Sequence, residues 1–216
     1  MVQEGQYLER MVVIPAGTLS LEGLYHRGTQ APAIVVAPPH PRSGGSMDAP
    51  LVAEAAWALT RAGHATLRLN YRGVGASTGE PGGPEDDAAD LEAAVEHMME
   101  TAVAARVALV GTRDGAAAAI AVAARDERVG ALCLVAPPAE ALRALPSLLE
   151  RAGGSPPVRV LVPDAPVDAA DLARRLTCLG DRGVLEMVEG LDATLSDGLP
   201  ELGRRLVAAL SPRERR

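Results

Sequence analysis

Residues 107–116 (VALVGTRDGA) constrain the fold of this chain most strongly. An apolar run leads into a turn bracketed by Gly111 and Gly115, and an alanine-rich stretch follows as far as residue 125. Such a run is typical of a buried strand, and the two glycines let the chain reverse tightly into a helix. Arg113, the middle residue of the turn, is therefore expected at its apex, above the edge of a sheet.

Strand-like and helix-like stretches alternate along the 216 residues. Residues 9–16 and 19–26 flank Gly17 and Thr18 and predict an antiparallel hairpin. The later alternation predicts right-handed crossovers and a mostly parallel sheet with helices on both faces. Beside the run before Gly111, the predicted strands are residues 33–37, 65–70, 129–135, 157–162 and 184–188, and the predicted helices are residues 48–61, 85–99, 115–125, 167–179 and 199–210.

Two local features refine this prediction. Asp48 is a plausible N-cap for the first helix, since Pro50 stands in its first turn and Gly63 just past its end. Residues 137–154 are only weakly helical and are too short for a large lid domain. We therefore expect one domain over residues 1–216 with a minimal cap.

Composition and charge exclude several classes of function. A net charge of −7 and a pI near 5.2 argue against nucleic-acid and anionic-membrane binding, because both need a basic face. No signal peptide and no apolar run of about 18 residues is evident, so we expect a cytoplasmic protein. Cys133 and Cys178 have no CxxC spacing and no clustered histidine, so we interpret both as structural thiols and expect no metal and no cofactor.

Two more motifs accompany the turn at Arg113. Residues 38–48 (PPHPRSGGSMD) follow a predicted buried strand, and residues 67–77 (LRLNYRGVGAS) follow the next one. The first is similar to a His-Pro-His-Pro loop with a glycine pair and a methionine, and the second to an Arg-Gly-x-Gly-x-Ser loop. With the turn at the place of a G-x-S-x-G nucleophile elbow, the chain resembles the α/β-hydrolase superfamily, in particular its small dienelactone-hydrolase-like members. The resemblance implies an α/β-hydrolase fold over nearly the whole chain.

The resemblance also implies positions for a catalytic triad, which runs Ser, Asp or Glu, then His along the chain. The nucleophile position is Arg113, and an arginine cannot attack a carbonyl as a serine does. The base position, in residues 190–194 (GLDAT), is Ala193, and all four histidines precede Arg113. The acid position has a shifted remnant at Asp164 or Asp168. Loss of nucleophile and base together is hard to reconcile with triad catalysis, so the triad is expected to be degenerate.

The loop at residues 38–47 is implied to supply an oxyanion-hole amide and a wall of the substrate pocket. Its first motif histidine is Pro38 here, which removes a side chain and an amide donor together. The residues expected to surround a ligand are His40, Gly44, Gly45, Ser46, Thr112, Arg113 and Asp114.

A relocated nucleophile is the alternative. Ser46 and His40 share one loop and could form a dyad, although a serine in a glycine turn more often bonds its own backbone. Thr112 has no histidine in the expected place to activate it. Asp114 flanks the apex, whereas an aspartate nucleophile would need the apex itself. A dyad would make the chain an esterase or thioesterase.

Arg113 at a helix N-terminus needs something anionic, because positive charge already gathers there. One interpretation is an internal ion pair with Asp114, Asp164 or Asp192. The other is a small carboxylate or phosphate ligand. Without either, the side chain must reach water, because burying an unpaired arginine is costly. We expect an inactive α/β-hydrolase-fold protein that binds a protein partner or a small anionic ligand, and we leave open an anion sensor centred on Arg113 and a homo-oligomer.

Overall fold

The computed structural model describes residues 9–164 and 169–210. The chain enters through an antiparallel hairpin, in which β1 (Arg10–Ala16) pairs with β2 (Leu19–His26). Gly17 closes the hairpin with a φ of +63°, which glycine adopts without strain. The predicted hairpin is confirmed.

Strands and helices then alternate, as the sequence predicts. The later strands are β3 (Gln30–Ala37), β4 (His64–Leu69), β5 (Val107–Thr112), β6 (Val129–Val135), β7 (Val158–Pro163) and β8 (Gly183–Val188), and the helices are α1 (Pro50–Arg61), α2 (Pro84–Ala102), α3 (Ala116–Arg125), α4 (Ala169–Leu176) and α5 (Leu199–Leu210). Their order across the sheet is β1-β2-β4-β3-β5-β6-β7-β8. β2 pairs with β4 antiparallel, and β3 to β8 pair parallel.

Helices cover both faces of the sheet. Along β3 the side chain of Val35 joins one buried cluster, whereas those of Ile34 and Val36 join the other. The first cluster includes α2, α3 and α4, and the second includes α1 and α5. A strand covered on both faces reads as an unbroken apolar run, which explains why the parallel strands are visible in the sequence.

Three details differ from the prediction or refine it. Asp48 is not the N-cap of α1: Ala49 holds that position without a side-chain hydrogen bond, and Asp48 lies 3.4 Å from Nη1 of Arg68. Pro50, at the start of the helix, has no amide N–H, so there is one donor fewer to cap. The predicted helix at 167–179 is α4 followed by a 3₁₀ turn at Thr177–Arg182, and residues 167 and 168 lie outside the described residues.

The connection between β6 and β7 forms only a 3₁₀ helix, Ala141–Glu150, as expected for a minimal cap. In the described part of the chain, no helix combines the length and apolar character that crossing a bilayer requires.

Candidate functional site

The turn after β5 has the shape that its glycines predict. A Cβ on Gly115 would lie 2.0 Å from the carbonyl oxygen of Pro38, and one on Gly111 would lie 2.8 Å from Cα of Ala116. Neither position can carry a side chain without displacing backbone. Arg113, between them, has a φ of +50° and is exposed at the apex. A non-glycine residue in this left-handed region is strained, so the turn holds Arg113 in a costly conformation.

Thr112, beside the apex, has a structural contact. Its buried hydroxyl donates to the carbonyl of Ala37 at 2.8 Å and so ties β5 to β3. The hydroxyl therefore faces into the sheet rather than toward a ligand.

The carboxylate of Asp114 binds the loop that follows β3. Its Oδ1 accepts from the amide of His40 at 3.1 Å, and its Oδ2 accepts from the hydroxyl of Ser43 at 2.6 Å. Asp114 therefore joins the turn to the loop. Its carboxylate accepts hydrogen bonds from two donors of the loop, which are then not available to a ligand.

The other amides of this loop are also used within the protein. Residues 38, 39 and 41 are prolines without an N–H, and the amide of Arg42 donates to Nδ1 of His40 at 2.9 Å. The amides of Ser43, Gly44 and Gly45 donate to carbonyls of the same loop. Every amide N–H from residue 38 to residue 45 thus has an acceptor, and the amide of Met47 donates to Oδ1 of Asn70 at 2.8 Å. Of the loop at residues 38–47, the amide of Ser46 is left without a described acceptor, so it is the candidate there for the expected oxyanion-hole donor.

The structure does not assemble the Ser46–His40 dyad. Ser46 Oγ accepts from the amide of Asp48 at 3.2 Å, the backbone contact expected of a serine in such a turn. Because Nδ1 of His40 is an acceptor, the ring proton is on Nε2, which lies 3.4 Å from Oδ2 of Asp87. Within the described ranges no hydrogen bond joins Ser46 to His40, and both ring nitrogens face other groups.

Asp87 is a buried carboxylate that sequence reasoning did not place in the site. Burial raises its pKa to about 6; the adjacent His40 lowers the pKa, whereas Asp90, Asp114 and Asp86 add to the rise. Asp87, His40 and Asp114 line a cavity of about 260 Å³, which we call the acidic cavity. The sequence shows that the first turn of α2 is acidic, but it does not show that Asp87 of this turn contacts His40.

Arg113 lies at the junction of two larger cavities. The elbow cavity, of about 360 Å³, contains Arg113, Asp114 and Ala193 and extends to Val162 and Pro163 at the end of β7. It therefore brings together the positions implied for nucleophile and base. Asp164 follows at the end of β7 and is exposed, while the other acid candidate, Asp168, lies outside the described residues.

The loop cavity, of about 460 Å³, lies on the other side of Arg113. It is lined by Gly44 and Gly45 from the loop and by Thr194 and Ser196 after β8. Of the predicted ligand-binding residues, Arg113, Gly44 and Gly45 thus meet around one space. His40 lies in the acidic cavity, and Asp114 lies between that cavity and the elbow cavity.

The internal ion pairs considered for Arg113 do not form. Asp114 is engaged by the loop, and Asp192 accepts from the amides of Thr194, Ser196 and Asp197 at 2.7–3.1 Å. The Thr194 hydroxyl and these amides lower the pKa of Asp192 to about 2. Among the described residues Arg113 has no ion pair and no side-chain hydrogen bond. Because its side chain is exposed, water can hydrate the guanidinium and no desolvation penalty arises. No cluster of three or more metal-ligating side chains occurs in the same residues.

The comparisons with known proteins agree with this architecture. The serine aminopeptidase S33 family model matches residues 42–176. An uncharacterized protein of Rickettsia prowazekii is 31% identical over 121 residues, which are 55% of this chain and 51% of that protein. The chain spans about half the length of that relative.

Two solved structures share the fold over nearly their whole length. An alpha-beta serine hydrolase homologue from Coxiella burnetii is 25% identical with a TM-score of 0.76, covering 94% of this chain and 97% of that chain. Dienelactone hydrolase from Anabaena variabilis is 21% identical, with the same TM-score and coverage. Because the family model covers more than half of the sequence, the chain belongs to the serine aminopeptidase S33 family, and it has the α/β-hydrolase fold.

Proposed function

We propose that this protein binds a small organic anion at Arg113 and does not hydrolyse esters or peptides through a triad. One observation carries the proposal: the side chain at the apex of the turn is an exposed arginine without an ion-pair partner among the described residues, at the junction of two cavities. A guanidinium stays protonated and donates hydrogen bonds, so it suits the binding of an anion and not nucleophilic attack.

The surroundings of Arg113 support the absence of triad chemistry. Ala193 stands in the same cavity at the implied base position, and it has no group that can take a proton. The amides of residues 40, 42–45 and 47 are bonded within the protein, which leaves the loop at residues 38–47 with few donors for a developing oxyanion. The nucleophile and the base are therefore both replaced, so we regard the triad as degenerate.

Hydrolysis by a relocated Ser46 and His40 is the competing function, and one assay separates the two. Purified protein is incubated with p-nitrophenyl esters, thioesters and a serine-reactive fluorophosphonate, beside a Ser46→Ala, His40→Ala double variant. We expect no label and the same background rate for both proteins. Turnover or labelling that the double variant loses would overturn the proposal.

Anion binding is tested on the same preparation. Carboxylates and inorganic phosphate are titrated into wild-type protein, Arg113→Gln and Arg27→Gln, with thermal stabilisation as the readout. Arg27 is the matched control. It is also exposed, but it follows β2 and lies at the opposite end of the strands from Arg113. Stabilisation should disappear in Arg113→Gln and persist in Arg27→Gln.

A further inference from the structure

The elbow cavity offers one charged donor and an apolar wall. Seven of its ten lining residues are Ala, Pro, Val or Leu, so most of a ligand inside it would contact hydrocarbon. Pro137, Pro138 and Pro163 contribute rigid surfaces without amide donors. At about 360 Å³ the cavity is near the small end of ligand sites, which span roughly 300–1,000 Å³.

The donors around Arg113 discriminate between anions. Its guanidinium presents paired N–H groups that match the two oxygens of a carboxylate. A phosphate has further oxygens and a second charge, but the amides of His40 and of residues 42–45 already have acceptors, and the Ser43 hydroxyl donates to Asp114. Phosphate oxygens that face the cavity instead of water would lie against the apolar wall or near the Asp114 carboxylate, and buried polar atoms without a partner are costly.

We infer that the ligand is a monocarboxylate with a short apolar tail, its carboxylate on Arg113 and its tail in the elbow cavity beside Ala193. This inference rests on the proposed function and specifies the ligand class of the same site. Because Ala193 stands at the position implied for an imidazole, the room left there is available to the tail.

Affinity should then depend on tail length as well as on charge. Burying one methylene contributes about 0.8 kcal/mol, so each one added from acetate to butyrate to hexanoate should tighten binding about fourfold until the cavity is full. Dissociation constants are measured by ligand-observed NMR titration of the full chain at low ionic strength. Hexanol, inorganic phosphate and hexylphosphonate are the comparison ligands.

Three variants locate the two parts of the ligand. Arg113→Gln should abolish the preference for hexanoate over hexanol, whereas Arg27→Gln should keep it. Ala193→Leu fills the space beside the tail. It should therefore raise the dissociation constant of hexanoate at least fivefold and leave that of acetate nearly unchanged. A circular dichroism melt of each variant shows whether it is folded.

The outcomes separate the inference from the proposed function. If no anion binds, or if binding survives Arg113→Gln, the proposed function fails and the inference with it. If binding needs Arg113 but phosphate or hexylphosphonate binds as tightly as hexanoate, or tail length has no effect, the inference alone is wrong.

Discussion

The amide of His40 donates to the carboxylate of Asp114 at 3.1 Å, across 74 positions of the sequence. The same carboxylate accepts from the hydroxyl of Ser43, so one side chain of the turn after β5 holds the loop after β3. This contact leaves Arg113 as the exposed cation at the apex, because its neighbouring carboxylate is used by the loop. The loop and the turn therefore form one unit around Arg113.

Asp114→Ala should lower the free energy of unfolding by about 1–2 kcal/mol, since the amide and the hydroxyl both lose their acceptor. Urea denaturation measures the loss. Asp164→Ala is the control, because Asp164 is exposed and its only described hydrogen bond is made by its amide, to Val188. Equal losses in the two variants would contradict the role of Asp114 in holding the loop.

The sequence predicts the sheet well and the contacts of the site poorly. Apolar runs such as residues 107–110 identify buried parallel strands, and the glycines around Arg113 identify the turn, because both are local properties of the chain. The loop motif at residues 38–48 predicts where a second wall lies. The motif does not predict that donors of this loop bind the carboxylate of Asp114, since that contact joins segments distant in sequence.

Two local predictions fail for the same reason. Asp48 has the right residue type and position for an N-cap, but its carboxylate lies near Arg68 of β4 instead. The ion pairs considered for Arg113 with Asp114 and Asp192 do not form, because both carboxylates already accept hydrogen bonds from other groups. Tertiary hydrogen bonds decide both cases, and a sequence pattern carries little information about them.

Arg72→Ala should cost about 3 kcal/mol of unfolding free energy, because it leaves the wholly buried Asp90 carboxylate without its cation. Arg72 donates to Asp90 from Nε at 3.0 Å and from Nη2 at 2.7 Å. Arg125→Ala is the matched control: Arg125 pairs with Glu85 on the surface, and its loss should cost less than about 1 kcal/mol. Chemical denaturation of both variants measures the difference, and similar costs would refute the distinction.

The raised pKa of Asp87 predicts a pH dependence of stability. This carboxyl titrates near 3.8 when unperturbed and near 6 in the fold, so between these values the folded state binds more protons than the unfolded state. The free energy of unfolding should therefore fall as pH rises through this window. The side chain of Asn in Asp87→Asn stays neutral at every pH. The free energy of unfolding of wild type minus that of the variant should therefore decrease by about 1–3 kcal/mol from pH 4 to pH 7.

Urea denaturation at half-unit pH steps measures this difference. Glu80→Gln changes an exposed carboxylate without an ion pair among the described residues, and its profile should run parallel to that of wild type. If the profile of Asp87→Asn also runs parallel, the titration of Asp87 is not linked to folding.

Arg113→Gly should stabilise the fold while removing the cation that we propose as the binding group. A non-glycine residue in the left-handed region costs about 1–2 kcal/mol, and the greater freedom of glycine in the unfolded chain offsets part of the gain. We expect a net increase of about 0.5–1 kcal/mol in the free energy of unfolding, with loss of anion binding. Val103→Gly is the control, because Val103 also has a φ of +50°, is 91% exposed and lies outside the cavities at Arg113.

Both variants should gain stability in urea denaturation, but only Arg113→Gly should lose thermal stabilisation by hexanoate. This pattern would mean that the fold bears the backbone strain at position 113 in order to present the guanidinium there, because glycine relieves the strain and removes the binding group together. If Arg113→Gly destabilises the protein while Val103→Gly stabilises it, the arginine side chain contributes to folding through a contact that outweighs its backbone strain. Its role would then be structural.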